Sequence, residues 1–246
     1  MRFTRAIALV SLVGACIGGM PTQPADAYNT AQTPYIPKGA DIPTEPAAPE
    51  TFIVFDSGSD PRISNAITGG TLRGISWGLY GASEFTLIDA VKMNAELRYK
   101  RYSYAPVQNF TGMDGNFSAH LNMQLNPNKA YAGLGYIKFS NNYGFPRLGG
   151  LGAGVEKLPM LDRKFSVSGS LWWYPNVYGT CSAQVCTGGP TTFAYSAMDY
   201  DVAGTYTLRS RLFLNAGYSA DRLGAKASAP SNISHGGAHA SLGIRL

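Results

Sequence analysis

The sequence is poor in charge. Lys, Arg, Asp and Glu together make up 14% of its 246 residues, against about 25% in soluble globular domains. That shortfall argues against a cytosolic α/β enzyme, whose surface must face water. Cysteine and histidine are scarce as well, at three each, and no zinc or base-stacking motif is formed. Basic residues are scattered without a Lys/Arg run, so the net charge of +5 does not describe a nucleic-acid-binding surface. The longest apolar stretch, from Ala6 to about Met20, falls short of the ~20 residues of a spanning helix. Against these absences stand 15 Tyr, 11 Phe, 29 Gly and a 45% hydrophobic content. This composition excludes a disordered chain, a collagen and a coiled coil. Few charges with many Tyr and Gly fit β-structure whose outer surface need not meet water.

The N-terminus has the order of an export signal. Arg2 and Arg5 precede the apolar stretch, and Pro21, Pro24 and Ala25-Asp26-Ala27 follow it. Cleavage is expected after Ala27. Val13-Gly14-Ala15-Cys16 also resembles a bacterial lipobox, which would make Cys16 a lipidation site; otherwise Cys16 is a small hydrophobe in a discarded peptide. Residues 28–50 carry Pro34, Pro37, Pro43, Pro46 and Pro49 and read as a semi-extended periplasmic tether. The chain therefore divides into a signal peptide (1–27), a proline-rich tail (28–50) and a folded region (51–246).

From residue 51 the hydrophobic period is two. In 90–104, Val91, Met93, Ala95, Leu97 and Tyr99 alternate with Lys92, Asn94, Glu96, Arg98 and Lys100. The same pattern runs through 115–126, 163–175, 199–209, 211–222 and 238–246, with weaker strands at 51–56, 71–83, 129–140 and 150–158. Short turns fall at Pro127-Asn128, Pro159 to Asp162 and Ser210, a medium one near Ser83 to Asp89. Long connections are expected at about 57–70, 105–114, 141–149, 176–192 and 223–235. Connections of alternating length predict an all-β, antiparallel up-and-down barrel of ten strands, or eight if 51–56 is not a strand.

The alternation, the export signal and the closing strand Ala238 to Leu246 resemble small outer-membrane β-barrel proteins of bacteria. Such proteins usually end in an aromatic residue, whereas Leu246 ends this chain. The resemblance implies a place in the bacterial outer membrane with the tail in the periplasm. It further implies outer-membrane lipid as surroundings, and barrel-assembly and periplasmic chaperone machinery as partners. A soluble secreted ligand-binding barrel, with its apolar face inside, is the alternative. The polar faces are Ser, Asn, Thr and Gly rather than Lys and Glu, which favours the membrane. So do aromatics near strand ends, at Tyr102, Tyr104, Tyr143, Trp172, Trp173, Tyr174, Tyr178 and Tyr195.

Four groups of residues are candidates for function. Cys181 and Cys186 share the longest loop, a spacing that favours an intraloop disulfide in an exported protein. Lys92, Glu96, Arg98, Lys100, His120, Glu156, Lys164, Arg209 and Arg245 are expected to line the lumen. If they pair, the barrel is plugged; if water fills it, an excess of Lys and Arg makes a narrow porin-like pore for a small anionic solute. Asp199, Asp201, Asp221, His235 and His239 are expected at the external rim. There they would be polar ornament or, by analogy with the ten-stranded omptin proteases, a site that activates water. Gly149 to Gly154 lacks the following helix of a phosphate loop and suits a tight barrel wall. No catalytic residue, metal or cofactor is assigned, and the expectation is a non-enzymatic barrel acting as a narrow channel or a surface platform.

Overall fold

The computed structural model describes residues 50–88, 91–181, 191–209, 211–226 and 228–246. The signal peptide, Cys16 and nearly all of the proline-rich tail lie outside the described residues. Ten strands follow one another: β1 (Thr51–Ser64), β2 (Leu72–Ile88), β3 (Val91–Val107), β4 (Phe110–Asn126), β5 (Ala130–Asn141), β6 (Leu148–Lys157), β7 (Phe165–Cys181), β8 (Thr191–Arg209), β9 (Leu212–Ala225) and β10 (Ile233–Arg245). Each pairs antiparallel with the next, and β1 pairs with β10 to close the barrel. Closure leaves no unpaired edge. The ten-stranded, up-and-down architecture is thus as the alternation predicts.

The connections define two ends. One end, here the terminal end, gathers Thr51, Leu246 and the connections 89–90, 127–129, 158–164 and 210–211. The loop end gathers 65–71, 108–109, 142–147, 182–190 and 226–232. Several strands run further toward the loop end than the sequence suggests. The expected long loop 105–114 is instead the tight turn Gln108-Asn109, with Asn109 in the left-handed region at φ 65°. Likewise β7 continues to Cys181 and β8 starts at Thr191.

The reason is an inversion of polarity part-way along each strand. In the terminal half the outward residues are apolar and the inward ones polar. Toward the loop end this reverses at unchanged parity: Tyr102 and Tyr104 point in while Arg101 and Ser103 point out. On β5, Ile137 and Phe139 point in while Lys138 and Ser140 point out. A strand leaving a membrane must do this, since its outer face passes from lipid to water. The lengths agree. β2, β3, β4 and β7 have 17 residues and β8 has 19, about 56–63 Å at ~3.3 Å per residue. Tilted by ~40°, they rise over 40 Å, well beyond an apolar band of ~25 Å.

Candidate functional site

The wall comes first, because it fixes what the lumen can do. Apolar side chains point outward from all ten strands around the terminal half, among them Phe55, Leu79, Leu97, Leu121, Leu134, Leu151, Val167, Val202, Leu214 and Leu242. Leu134 and Leu151 expose 72% and 73% of their surface. A continuous exposed apolar band of this kind is incompatible with water and suits a bilayer. Above it, toward the loop end, Trp77, Tyr99, Phe117, Tyr136, Trp173, Tyr200 and Tyr218 face outward and follow the tilt of the strands. Trp77 packs on Tyr99 with centroids 5.5 Å apart, and Tyr200 lies 6.4 Å from Tyr218. They form an interfacial girdle.

This girdle is largely a different set of aromatics from the one the sequence suggests. Trp173 and Tyr178 do face outward, but Tyr102, Tyr104, Trp172, Tyr174 and Tyr195 point inward and are at most 3% exposed. Their parity places them in the lumen, where they close the loop end. Tyr143 sits in the 142–147 connection beside Phe145, with its hydroxyl turned inward to Tyr104 and Asp114. Ile137, Trp172, Tyr174, Val177, Tyr195, Leu223 and Ile233 form one buried cluster there, and Ile63, Tyr102 and Tyr104 another. Glycines make room for it. A Cβ on Gly154 would lie 2.5 Å from the Trp172 ring, and one on Gly135 3.1 Å from it. The Gly149–Gly154 run is therefore wall, as its missing helix implies. At the terminal end, Leu158 and Leu161 of the 158–164 connection fold back onto Phe52, Val54, Tyr131 and Phe213.

Between the two apolar seals the lumen is packed with charge in layers. Nearest the loop end, His235 Nδ1 lies 2.6 Å from Asp221 and Nε2 2.7 Å from Asp114. Asp114 also accepts from Asn65 Nδ2 at 2.6 Å, and Asp221 from the Tyr102 hydroxyl at 3.1 Å. With both carboxylates ionised, both ring nitrogens donate to them. Next, His239 lies 2.7 Å from Asp56 and 2.9 Å from Asp201, with Lys100 3.4 Å from Asp56 and also on Ser219. Deeper, Arg98 pairs with Glu96 and, at 3.0 Å, with Glu156. His120 bridges Glu96 at 3.1 Å and the Tyr174 hydroxyl at 2.9 Å, stacked on Trp172 at 3.7 Å. At the terminal mouth Lys129 holds Glu50 and Glu84, and Arg245 lies 3.4 Å from Glu50.

Most of the expected lumen residues are therefore inside. Glu96, Arg98, Lys100, His120, Glu156 and Arg245 take part in these layers. Lys92 has lumen parity near the terminal end and is half-buried. Lys164 is a correction: it precedes β7, is exposed, and lies 5.8 Å over the Tyr206 ring. The side chain of Arg209 lies outside the described residues, as does Cys186, the expected partner of Cys181.

The rim cluster is a second correction. Asp199, Asp201, Asp221, His235 and His239 do converge, but inside the lumen and beneath Tyr195, Leu223 and Ile233. Asp56 and Asp114, which hold the two histidines, were missed because one ended a weak strand and the other fell in an expected loop. Their parity with Val54 and Asn116 was the available signal.

The third correction concerns charge. Glu50, Asp56, Glu84, Glu96, Asp114, Glu156, Asp199, Asp201 and Asp221 line the lumen and its terminal mouth, against Lys92, Arg98, Lys100, Lys129 and Arg245 among the described residues. The lumen is acidic, not basic. A cavity of about 100 Å³ remains, lined by Asp56, Asp199, Asp201, Lys100 and His239. Glu96, His120 and Glu156 bring ligand atoms within 4.8 Å of one another. A metal would have to displace Arg98 from both carboxylates and His120 from two hydrogen bonds, so the guanidinium fills that role.

No family model and no curated protein matches the chain. Among solved structures it is similar to Neisserial surface protein A, at 14% identity and TM-score 0.37, over 80% of this chain and 97% of that one. It is similar to Ail of Yersinia pestis, at 10% and 0.34, over 80% and 99%. The outer membrane protease OmpT of Escherichia coli matches at 11% and 0.36, over 80% and 95%. The ten-stranded ring and the apolar belt assign the fold by themselves: a transmembrane β-barrel of the small outer-membrane type.

Proposed function

We propose that the protein is a non-enzymatic, non-conducting barrel of the bacterial outer membrane, a rigid plate that fixes its loops at the cell surface. The observation that carries this reading is the lumen, closed by apolar clusters at both ends and cross-linked by ion pairs in between. Among the described residues these clusters and ion pairs stand across the path that water or a solute would take. The acidic excess also disfavours an anionic solute. A rim hydrolase loses its support because both nitrogens of His235 are engaged by carboxylates, leaving no free base.

Orientation follows from the termini. Thr51 and Leu246 lie at the end whose connections are shorter on average, which suits the periplasm, and the loop end then faces outward. There Arg62, Arg73, Arg101, Lys138, Arg147, Arg222 and Lys226 stand against one carboxylate, Asp60, on the outer surface of the described residues. Such a basic collar suits the phosphate-bearing lipid of an outer leaflet. Leu242, Ile244 and Leu246 alternate outward at the end of β10, as a strand handled by barrel-assembly machinery would.

The test is conductance of the refolded chain, residues 28–246, in a planar bilayer under a salt gradient. Heat-modifiable migration proves the folded barrel. The expected result is silence, and steady unitary steps would overturn the sealed-lumen reading.

A further inference from the structure

The outer wall carries a feature that a convex barrel does not need. Across β1 to β6 the lipid-facing surface is hollowed into an open apolar groove of about 690 Å³, within the ~300–1,000 Å³ of small-ligand sites. Small residues, Gly81, Ala95 and Ala119, form its floor, and Leu97, Leu121 and Leu134 form its walls. Side chains of one size all round would have left a smooth wall.

Directly above the groove, toward the loop end, the same strands change chemistry. Lys138 is the next outward position after Tyr136 at the groove's edge, and Arg101 is two outward positions beyond Leu97. The two cations flank β4 one outward position apart: Arg101 pairs with Gly115, whose other partner is Ser140, and Lys138 pairs with Phe117. Gly115 is buried there, with Ser140 and Tyr99 drawn in over it. A Cβ on it would meet Ser140 Oγ at 2.8 Å and the Tyr99 hydroxyl at 3.6 Å. Two cations and two hydroxyls thus share one outward patch across β3, β4 and β5, with the Arg101 guanidinium resting on Met113, at the level of the aromatic girdle where lipid headgroups lie. No carboxylate faces outward on this part of β3, β4 or β5.

We propose that this is a specific site for one phosphorylated membrane lipid. Its acyl chain lies in the groove and its phosphate between Arg101 and Lys138, with Ser140 and Tyr99 donating to the phosphate oxygens. The occupant is a lipid rather than free phosphate because groove and clamp are continuous, and the groove opens onto the bilayer. The inference rests on the membrane placement above and is independent of whether the lumen conducts.

Native mass spectrometry of the full chain, refolded in a neutral detergent, tests it with phosphatidylglycerol and phosphatidylcholine as probes. Phosphatidylglycerol is expected to bind about 30-fold more tightly, as two cations near an anionic headgroup imply. The double change Arg101→Gln, Lys138→Gln is expected to abolish that preference. Ala119→Leu, which fills the groove floor, is expected to weaken both lipids. Equal binding of the two lipids by the unaltered chain, or binding unmoved by either variant, would overturn the site. So would full displacement of the lipid by inorganic phosphate. Heat-modifiable migration of each variant shows that the barrel is folded, so failure of the site is distinguishable from failure of the barrel.

Discussion

Removing His235 should be the most damaging single change in the lumen. Its ring is 3% exposed, stacks on Tyr102 at 4.5 Å, and makes the two contacts of 2.6 and 2.7 Å to Asp221 and Asp114. A hydrogen bond to a charged group contributes about 1.5–3 kcal/mol, so the two together come to roughly 3–6. Breaking a buried ion pair by deleting one partner costs about 3–5 kcal/mol by a separate route, because the stranded charge stays buried. His235→Ala is therefore expected to lose about 4 kcal/mol. The assay is urea unfolding of the refolded barrel in detergent micelles, followed by tryptophan fluorescence and heat-modifiable migration. Most of the cost belongs to the stranded carboxylates and not to the lost ring. Adding Asp114→Asn should therefore return part of the stability. A loss below about 1 kcal/mol for His235→Ala, or an Asp114→Asn change that adds its own full cost on top, would refute the reasoning.

Two further outcomes follow from the wall. Leu214 points into the apolar belt, two residues from Leu212 and four from the girdle residue Tyr218. Leu214→Lys should lose about 2–4 kcal/mol in lipid vesicles, while a detergent-solubilised sample should be less sensitive. Gly154→Val should push against Trp172 and the Leu171 carbonyl, each 2.5 Å from the added Cβ. It should cost about 1–3 kcal/mol or more and alter the near-ultraviolet dichroism of Trp172. Gly204, whose nearest neighbour to a new Cβ is 3.9 Å away, is the control; Gly204→Ala should be neutral or slightly stabilising.

Which aromatics are lipid-facing was the hardest thing to read from the chain. Trp172, Trp173 and Tyr174 are consecutive, and composition near a strand end says nothing of which one points inward. Parity does say it: Trp172 shares its face with Ser170, and Trp173 with Leu171. The one extra residue of the bulge between Tyr174 and Val177 then shifts the face for the rest of β7, which no alternation rule anticipates. The early end assigned to β3 has a different cause. Beyond Tyr99 the polar residues face out and the aromatics in, so the pattern of apolar-out residues stops although the strand does not.

Antiparallel order and the parity of Glu96, Arg98, Lys100, His120 and Glu156 were determined by the sequence alone, whereas ten strands rather than eight was decided by β1 pairing with β10. Side-chain direction alternates with a period of two, and that geometry is local. Who pairs with whom was decided only by closure of the barrel. His235 and Asp114 are 121 residues apart and Lys100 and Ser219 are 119 apart, and only the shared register around ten strands sets them face to face. The same holds for the seals. Trp172 closes the lumen because Gly135 and Gly154, on two other strands, leave it space, a coincidence of three strands that has no local signature. Local alternation specifies a wall; whether that wall encloses a pore or a packed core depends on volumes that meet only after the ring is closed.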